Sequence, residues 1–146
     1  MFHDYKTKPS SIQELREFYD QEFQRHIIKD EDKSYRWMAE KLLKPFLSGK
    51  KILDVGCGGG FFLKYISNDA KLHVGVDLST QALEIASRSS SSSHYVQGSA
   101  EELPFSAQSF GGLVCLGSLE HFLDIPKALN EFRRVLKDDG WLFLES

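Results

Sequence analysis

Between Ser11 and Leu47 apolar residues recur at helical spacing: Ile12, Leu15, Phe18 and Tyr19, then Trp37, Leu42, Leu43, Phe46 and Leu47, with charged residues between them. The stretch RHIIKDEDKSY breaks the period with charges and reads as a solvated connection between two helices. Pro45, late in the second pattern, marks a kink or its last turn. Residues 1–49 are therefore expected to form an N-terminal helical extension.

From Lys50 the period changes. KILDVG is a short apolar run ending in an acid and a glycine, and FFLKYIS follows with Phe62, Leu63 and Ile66 on one helical face, which predicts strand, glycine turn, helix. LHVGVDLS and TQALEIAS repeat the scheme, with Ser79 placed to cap the second helix. The serine run Ser89 to Ser93 offers nothing to bury and reads as an exposed loop. HYVQGSAEEL predicts a third strand and turn, and GGLVCLGSLEHF a fourth strand running into a loop. In DIPKALNEFRRVLKDDG the positions Leu129, Phe132, Val135 and Leu136 share a helical face, Asp124 can cap it, Pro126 lies in its first turn and Gly140 ends it. WLFLES is a fifth strand.

Strands alternating with helices predict an α/β fold, a Rossmann-like open and mostly parallel sheet with helices on both faces, over residues 50–146. Ligands on such sheets bind outside the carboxyl ends of the strands, beside the switch point. Asp54 and Gly56, Asp77, Gly98 to Ala100, and Gly117 to His121 all fall at such ends.

Composition narrows the partners. A chain of 146 residues, 41% hydrophobic, suits one packed core. The formal charge of -3 provides no overall attraction to nucleic acid or anionic membranes, so neither is expected as a partner. No apolar run approaches the roughly 20 residues of a spanning helix, and MFHDYKTKPS lacks the order of a signal peptide. A cytoplasmic protein is expected. Cys57 and Cys115 have no CxxC or paired histidines nearby and read as small buried side chains; the five histidines lack metal-ligand spacing, and no metal is expected.

The glycine-rich LDVGCGGG does not fit the dinucleotide fingerprint GxGxxG, because the third position is Phe61 in one register and Leu63 in the other. What fits is Asp54, Gly56, Gly58 and Gly60, a DxGxGxG spacing. A carboxylate about 4 Å from a pyrophosphate would cost roughly 4 kcal/mol at an effective dielectric of about 20. A cationic ligand group would gain from the same field.

These motifs, with VGVDLSTQAL, GSAEELPF and LEHFLDIPKALNEFRRVLKDDGWL in order, resemble the class I S-adenosylmethionine-dependent methyltransferases, and more narrowly their small-molecule branch, which includes quinone-biosynthesis enzymes. The resemblance runs from Lys50 to the end of the chain and implies S-adenosylmethionine as cofactor and a small-molecule methyl acceptor as partner. It implies that Asp54 faces the methionine amino group and that Gly56, Gly58 and Gly60 shape the loop for close approach. Asp77 would accept the ribose hydroxyls, Leu78 would lie on the adenine face, Ser99 and Ala100 would meet the adenine edge, and Leu116 or Gly117 would touch the methionine part. Ser99 departs from the family, which commonly has aspartate there, and the SFxxL segment with Gly112 departs as well.

Each residue also has a plainer reading. An aspartate before a glycine turn often only bonds its own backbone; the second acid, Asp77, favours the cofactor. His121 is the catalytic candidate, a base near the methyl group, and Glu120 is its neighbour in that role; both can equally be surface or capping groups. Phe18, Tyr19, Phe23, Tyr35 and Trp37 form either an acceptor lid or ordinary packing. Methyl transfer needs alignment and exclusion of water, and a base only where the acceptor must lose a proton.

The resemblance also implies two further strands after WLFLES, so the sheet is expected to be incomplete at the C-terminus with an exposed apolar edge. A fragment or truncated product is the expectation, with coverage of the edge by a second subunit, such as a homodimer, or an inactive minimal form beside it. A non-catalytic cofactor-binding or partner-binding module, motivated by Ser99, Gly112 and the missing strands, stands as the alternative function. A nicotinamide-dependent oxidoreductase shares only the architecture.

Overall fold

Parallel strands cannot be joined by tight hairpins and need crossover connections, and the spacing of apolar runs in this chain supplies them. The structure, a computed structural model, describes residues 9–25 and 33–145. Strands β1 (Lys51–Val55), β2 (Leu72–Asp77), β3 (His94–Gln97), β4 (Phe110–Leu116) and β5 (Leu136–Glu145) make one sheet in the order β3-β2-β1-β4-β5, with every neighbouring pair parallel. The crossovers carry α3 (Phe61–Ile66), α4 (Thr80–Ser89) and α5 (Ile125–Val135). Ahead of the sheet lie α1 (Ile12–Arg25) and α2 (Lys33–Trp37); α2 runs on into a π-helical turn, Met38–Leu43, and a 3-10 turn, Lys44–Phe46. Pro45 sits at the start of that final turn, where its missing N–H costs least. Most of the charged connection RHIIKDEDKSY lies outside the described residues.

Alternation along the strands divides the core. Leu53 and Val55 of β1, with Leu113 and Cys115 of β4, face Ala128, Phe132 and Val135 of α5. Ile52, Val114 and Leu116 point the other way and meet Phe62, Leu63 and Ile66 of α3, together with Met38, Ala39, Leu43 and Leu47 from the N-terminal extension. Each such large apolar side chain contributes about 1.5–3 kcal/mol on burial. Helices thus cover both faces, and the crossovers that follow β1 and β4 leave to opposite sides, which makes the middle of the sheet its switch point.

Three expectations change. The last helix ends at Val135, not at Gly140, and Leu136 is already extended. The reason is tertiary: Gln108 and Ser109 N–H donate to the carbonyls of Arg134 and Val135 at 2.9 and 2.8 Å, so the helix end is satisfied by the chain entering β4. Residues 137–140 bulge out of the ladder, which jumps from the Phe110–Leu136 pair to Gly112–Trp141, and Gly140 belongs to β5. Leu129, assigned to the buried face, is 38% exposed.

The serine run is also not wholly exposed. Ser90 and Ser93 are buried, their hydroxyls 3.0 Å apart, and Ser93 Oγ lies 2.6 Å from His73 Nδ1. His73 Nε2 is 3.2 Å from the Ser67 carbonyl and must donate to it, which leaves Nδ1 of the neutral ring to accept from Ser93. Burial holds the His73 pKa below its ordinary value. Tyr95 donates to the Ser90 carbonyl at 3.0 Å, closing the network.

Gly112 has a packing reason. A Cβ there would overlap the Trp141 ring and stand 2.9 Å from Ile52 Cδ1. The indole crosses β4 at this point and donates from Nε1 to the Phe46 carbonyl at 3.1 Å, joining β5 to the N-terminal extension. On the outer side, Leu142 and Leu144 of β5 are 42% and 40% exposed. Gly112→Ala is expected to lose about 1–3 kcal/mol of stability by overpacking, measured as a lower urea midpoint at unchanged slope.

Candidate functional site

The loop between β1 and α3 is shaped by positive φ angles that glycine tolerates. Gly56 has φ +75°, and a Cβ on it would lie 2.7 Å from Ser118 Cβ. Gly56 and Cys57 both donate their N–H to the Val76 carbonyl, at 2.8 and 3.1 Å, which ties the loop to the end of β2. Gly60, also at φ +75°, starts α3, and a Cβ there would meet Tyr95 Oη at 2.9 Å.

Asp77 ends β2 and fastens the surrounding turns. Its Oδ2 accepts from Gly58 N–H and its Oδ1 from Ser79 N–H, both at 2.9 Å. Shielding from water raises its pKa above the ordinary carboxylate value; the backbone donors Ser79 and Gly58 act against the rise and the charge of Asp20 adds to it. Asp54 lies deeper, 2% exposed, and burial foremost, with the Asp77 charge second, pushes its pKa up to about 8. Cys57 and Cys115 are buried as expected, and burial raises both thiols, so neither is a ready nucleophile.

The strand ends enclose a cavity of about 420 Å³, in the range of small-ligand sites. Gly56, Gly58, Asp77, Leu78, Ala100, Leu116, Gly117 and His121 all line it. Asp54, Gly60 and Ser99 do not reach the wall: Asp54 is buried behind the loop, Gly60 lies at the start of α3, and Ser99 turns its hydroxyl to the Glu101 carboxylate. Of the suggested lid aromatics, Tyr19, Phe23 and Tyr35 line the cavity, whereas Phe18 does not and Trp37 is 54% exposed. His121 Nε2 is 3.6 Å from Glu120 Oε1, and its ring lies edge-on to Tyr19 at 6.3 Å between centroids.

Sequence reasoning missed Glu101. This buried residue lines the cavity, and its Oε1 accepts from the N–H groups of Leu123 and Asp124 at 2.9 and 3.2 Å, fixing the loop into α5. Partners more than twenty residues away leave no local signal. Arg134 performs a similar task, donating to the carbonyls of Phe105 and Leu103 at 2.8 and 3.0 Å while paired with Glu131. Ser118 fills the space a Gly56 side chain would need; it lies in the strand-end stretch Gly117 to His121, but no motif singled out this contact. Among the described residues no group of His, Cys, Asp and Glu is arranged to hold a metal, and no helix is long and apolar enough to cross a membrane.

Acceptors and negative charge of this kind suit a ligand with hydroxyls and a cation. Two carboxylates stand at adjacent strand ends, the glycine backbone is accessible, and the remaining wall is largely apolar and aromatic. Comparison with known proteins agrees. A family model described as a methyltransferase domain matches residues 53–144. A ubiquinone biosynthesis O-methyltransferase of Haemophilus ducreyi is 35% identical over 109 residues, covering 68% of this chain and 46% of the relative. A tRNA U34 carboxymethyltransferase of Campylobacter hominis is 36% identical over 119 residues, covering 75% of this chain and 41% of the relative. The crystal structure of YcgJ from Bacillus subtilis superposes with a TM-score of 0.69 at 32% identity, over 75% of this chain and 49% of that one. The chain spans about half or less of the length of these curated relatives. With the sheet order, the glycine loop and the family match in agreement, the chain belongs to the class I S-adenosylmethionine-dependent methyltransferases.

Proposed function

We propose that this chain binds S-adenosylmethionine in the cavity at the strand ends and transfers its methyl group to a small-molecule acceptor. The observation that carries the reading is the pairing of Asp77 with the glycine loop at the floor of a cavity roofed by Tyr19, Phe23 and Tyr35. In this reading Asp77 receives the ribose hydroxyls, Leu78 lies against the adenine, and Ala100 meets its edge, while Ser99 stands behind the wall with its hydroxyl on Glu101. Gly56 and Gly58 let the backbone approach, Gly60 sets the turn into α3 behind them, Leu116 and Gly117 border the methionine part, and Asp54, behind the loop, supplies negative charge for the amino group through its field.

The cofactor, when bound, supplies an electrophilic methyl group. The residues of this chain then hold the reactants in line and keep water out, which accounts for most of the acceleration such a transfer requires. His121 is the group available at the cavity to take a proton from a hydroxyl acceptor, and Glu120 beside it can stabilise the imidazolium that results. A roof of aromatic side chains favours a compact acceptor. The net charge of -3 gives no general attraction to a polynucleotide. The relative named for tRNA U34 supports RNA as a second reading.

The acceptor class is tested by incubating the chain with methyl-labelled S-adenosylmethionine and, separately, small phenols, small amines and total tRNA. Label in a small molecule is the expected result; label in tRNA alone overturns the small-molecule reading. Bound cofactor with no label anywhere supports a non-catalytic module instead.

Asp54 gives a prediction in pH. A group with pKa near 8 in the free protein is largely protonated at pH 7, and a cationic ligand group in the cavity, on the other side of the glycine loop, favours the carboxylate. Binding should therefore release a proton, and affinity should rise with pH between about 6 and 8. Calorimetry in two buffers of different ionisation enthalpy is expected to show this release in the wild type and its loss in Asp54→Asn. Equal proton release in both would remove Asp54 from that role.

A further inference from the structure

Helix α1 lays a single stripe over the cavity. Leu15, Tyr19 and Phe23, spaced by four residues and hence on one face, all line it. Phe23 Cζ comes to 3.5 Å from where a Cβ on Gly58 would stand, and Tyr19 meets the His121 ring. Yet Leu15, 2% exposed, is the one buried side chain described in this helix; its other described residues are half-buried or exposed. Apolar burial alone holds α1 weakly.

Asp20 supplies a polar attachment. Its Oδ1 accepts from Ser79 Oγ at 2.7 Å and from Gln81 N–H at 3.4 Å. Ser79 is fully buried and caps α4, its Oγ accepting from Ala82 N–H at 3.1 Å. The same serine donates its N–H to Asp77 Oδ1. One residue thus connects the roof helix, the start of α4 and the acid at the end of β2. The Asp20 carboxylate also lies where the N-terminal dipole of α4 favours negative charge. Without Asp20 the Ser79 hydroxyl would lose the acceptor for its proton in a place closed to water, a costly loss for a buried donor.

We propose that Asp20 is a positioning residue: its hydrogen bond to Ser79 latches α1 as a lid over the cavity and sets how long a bound nucleoside stays there. The proposal rests on the cofactor reading above for its ligand, while the latch itself is a property of the free protein. Asp20 touches neither the loop nor the cavity wall and acts through Ser79.

The test compares wild type, Asp20→Ala and Asp20→Asn, the last of which keeps an acceptor for Ser79. Hydrogen exchange on the ligand-free proteins is expected to quicken by about tenfold or more in α1 and the first turn of α4 of Asp20→Ala, with the sheet unchanged and Asp20→Asn close to wild type. Dissociation of S-adenosylhomocysteine, followed by stopped-flow competition, is expected to quicken in Asp20→Ala and to be largely rescued in Asp20→Asn. Unchanged exchange in α1, or an equal increase throughout the sheet, overturns the latch. Local loosening without faster dissociation overturns the positioning role. A wild type that fails to bind S-adenosylhomocysteine overturns the cofactor reading, and the exchange data still decide the latch.

Discussion

The structure around the site depends on one buried-edge carboxylate, Asp77, and the two backbone N–H groups it accepts. Gly58 and Ser79 are brought to the same side chain from two different loops, at 2.9 Å each. Removing these bonds would free the glycine loop from the start of α4 at the wall of the cavity. The arrangement carries a cost, since shielding from water raises the pKa of Asp77, and the same two donors partly offset it. Burial foremost, with the Asp77 charge second, likewise pushes the pKa of Asp54 behind the loop up to about 8. A cationic, hydroxyl-bearing ligand relieves both strains at once, whereas a pyrophosphate would add to them.

The floor and the roof of the cavity determine different things. The floor is built from strand ends and backbone, so its chemistry follows from Asp54, Asp77 and the glycines. The roof is α1 with Tyr19 and Phe23, together with Tyr35 from α2, and its contacts are aromatic. Methyl transfer makes few demands on acid-base groups, so an acceptor site can be little more than a shaped apolar space. In the proposed reading, that is why the residues assigned to the cofactor carry specific chemistry while those assigned to the acceptor supply shape.

The sheet and the floor were legible in the sequence because their signals are local. Acid and glycine at the ends of KILDVG and LHVGVD mark strand ends, and the cap at Ser79 and the N-terminal cap at Asp124 sit where helix chemistry requires them. The missed features depend on partners distant in the chain. Helix α5 stops at Val135 because Gln108 and Ser109 take its carbonyls, not because of Gly140. Ser90 and Ser93 are buried because His73 and Tyr95 come to meet them. Asp20 reads as one charge among many on an amphipathic helix until α4 is brought beside it, 59 residues away. Ser99, expected at the adenine edge, engages Glu101 two residues on, a local alternative that residue type alone does not reveal.

The most direct measurement is calorimetric titration of S-adenosylmethionine and its demethylated product into the wild-type chain, Asp77→Asn and Asp77→Ala. One site is expected in the wild type, with affinity reduced by about a hundredfold or more in Asp77→Ala and by less in Asp77→Asn, which can still accept from one backbone donor. Absence of binding to the wild type, or equal affinity in all three proteins, would remove Asp77 as the centre of the site.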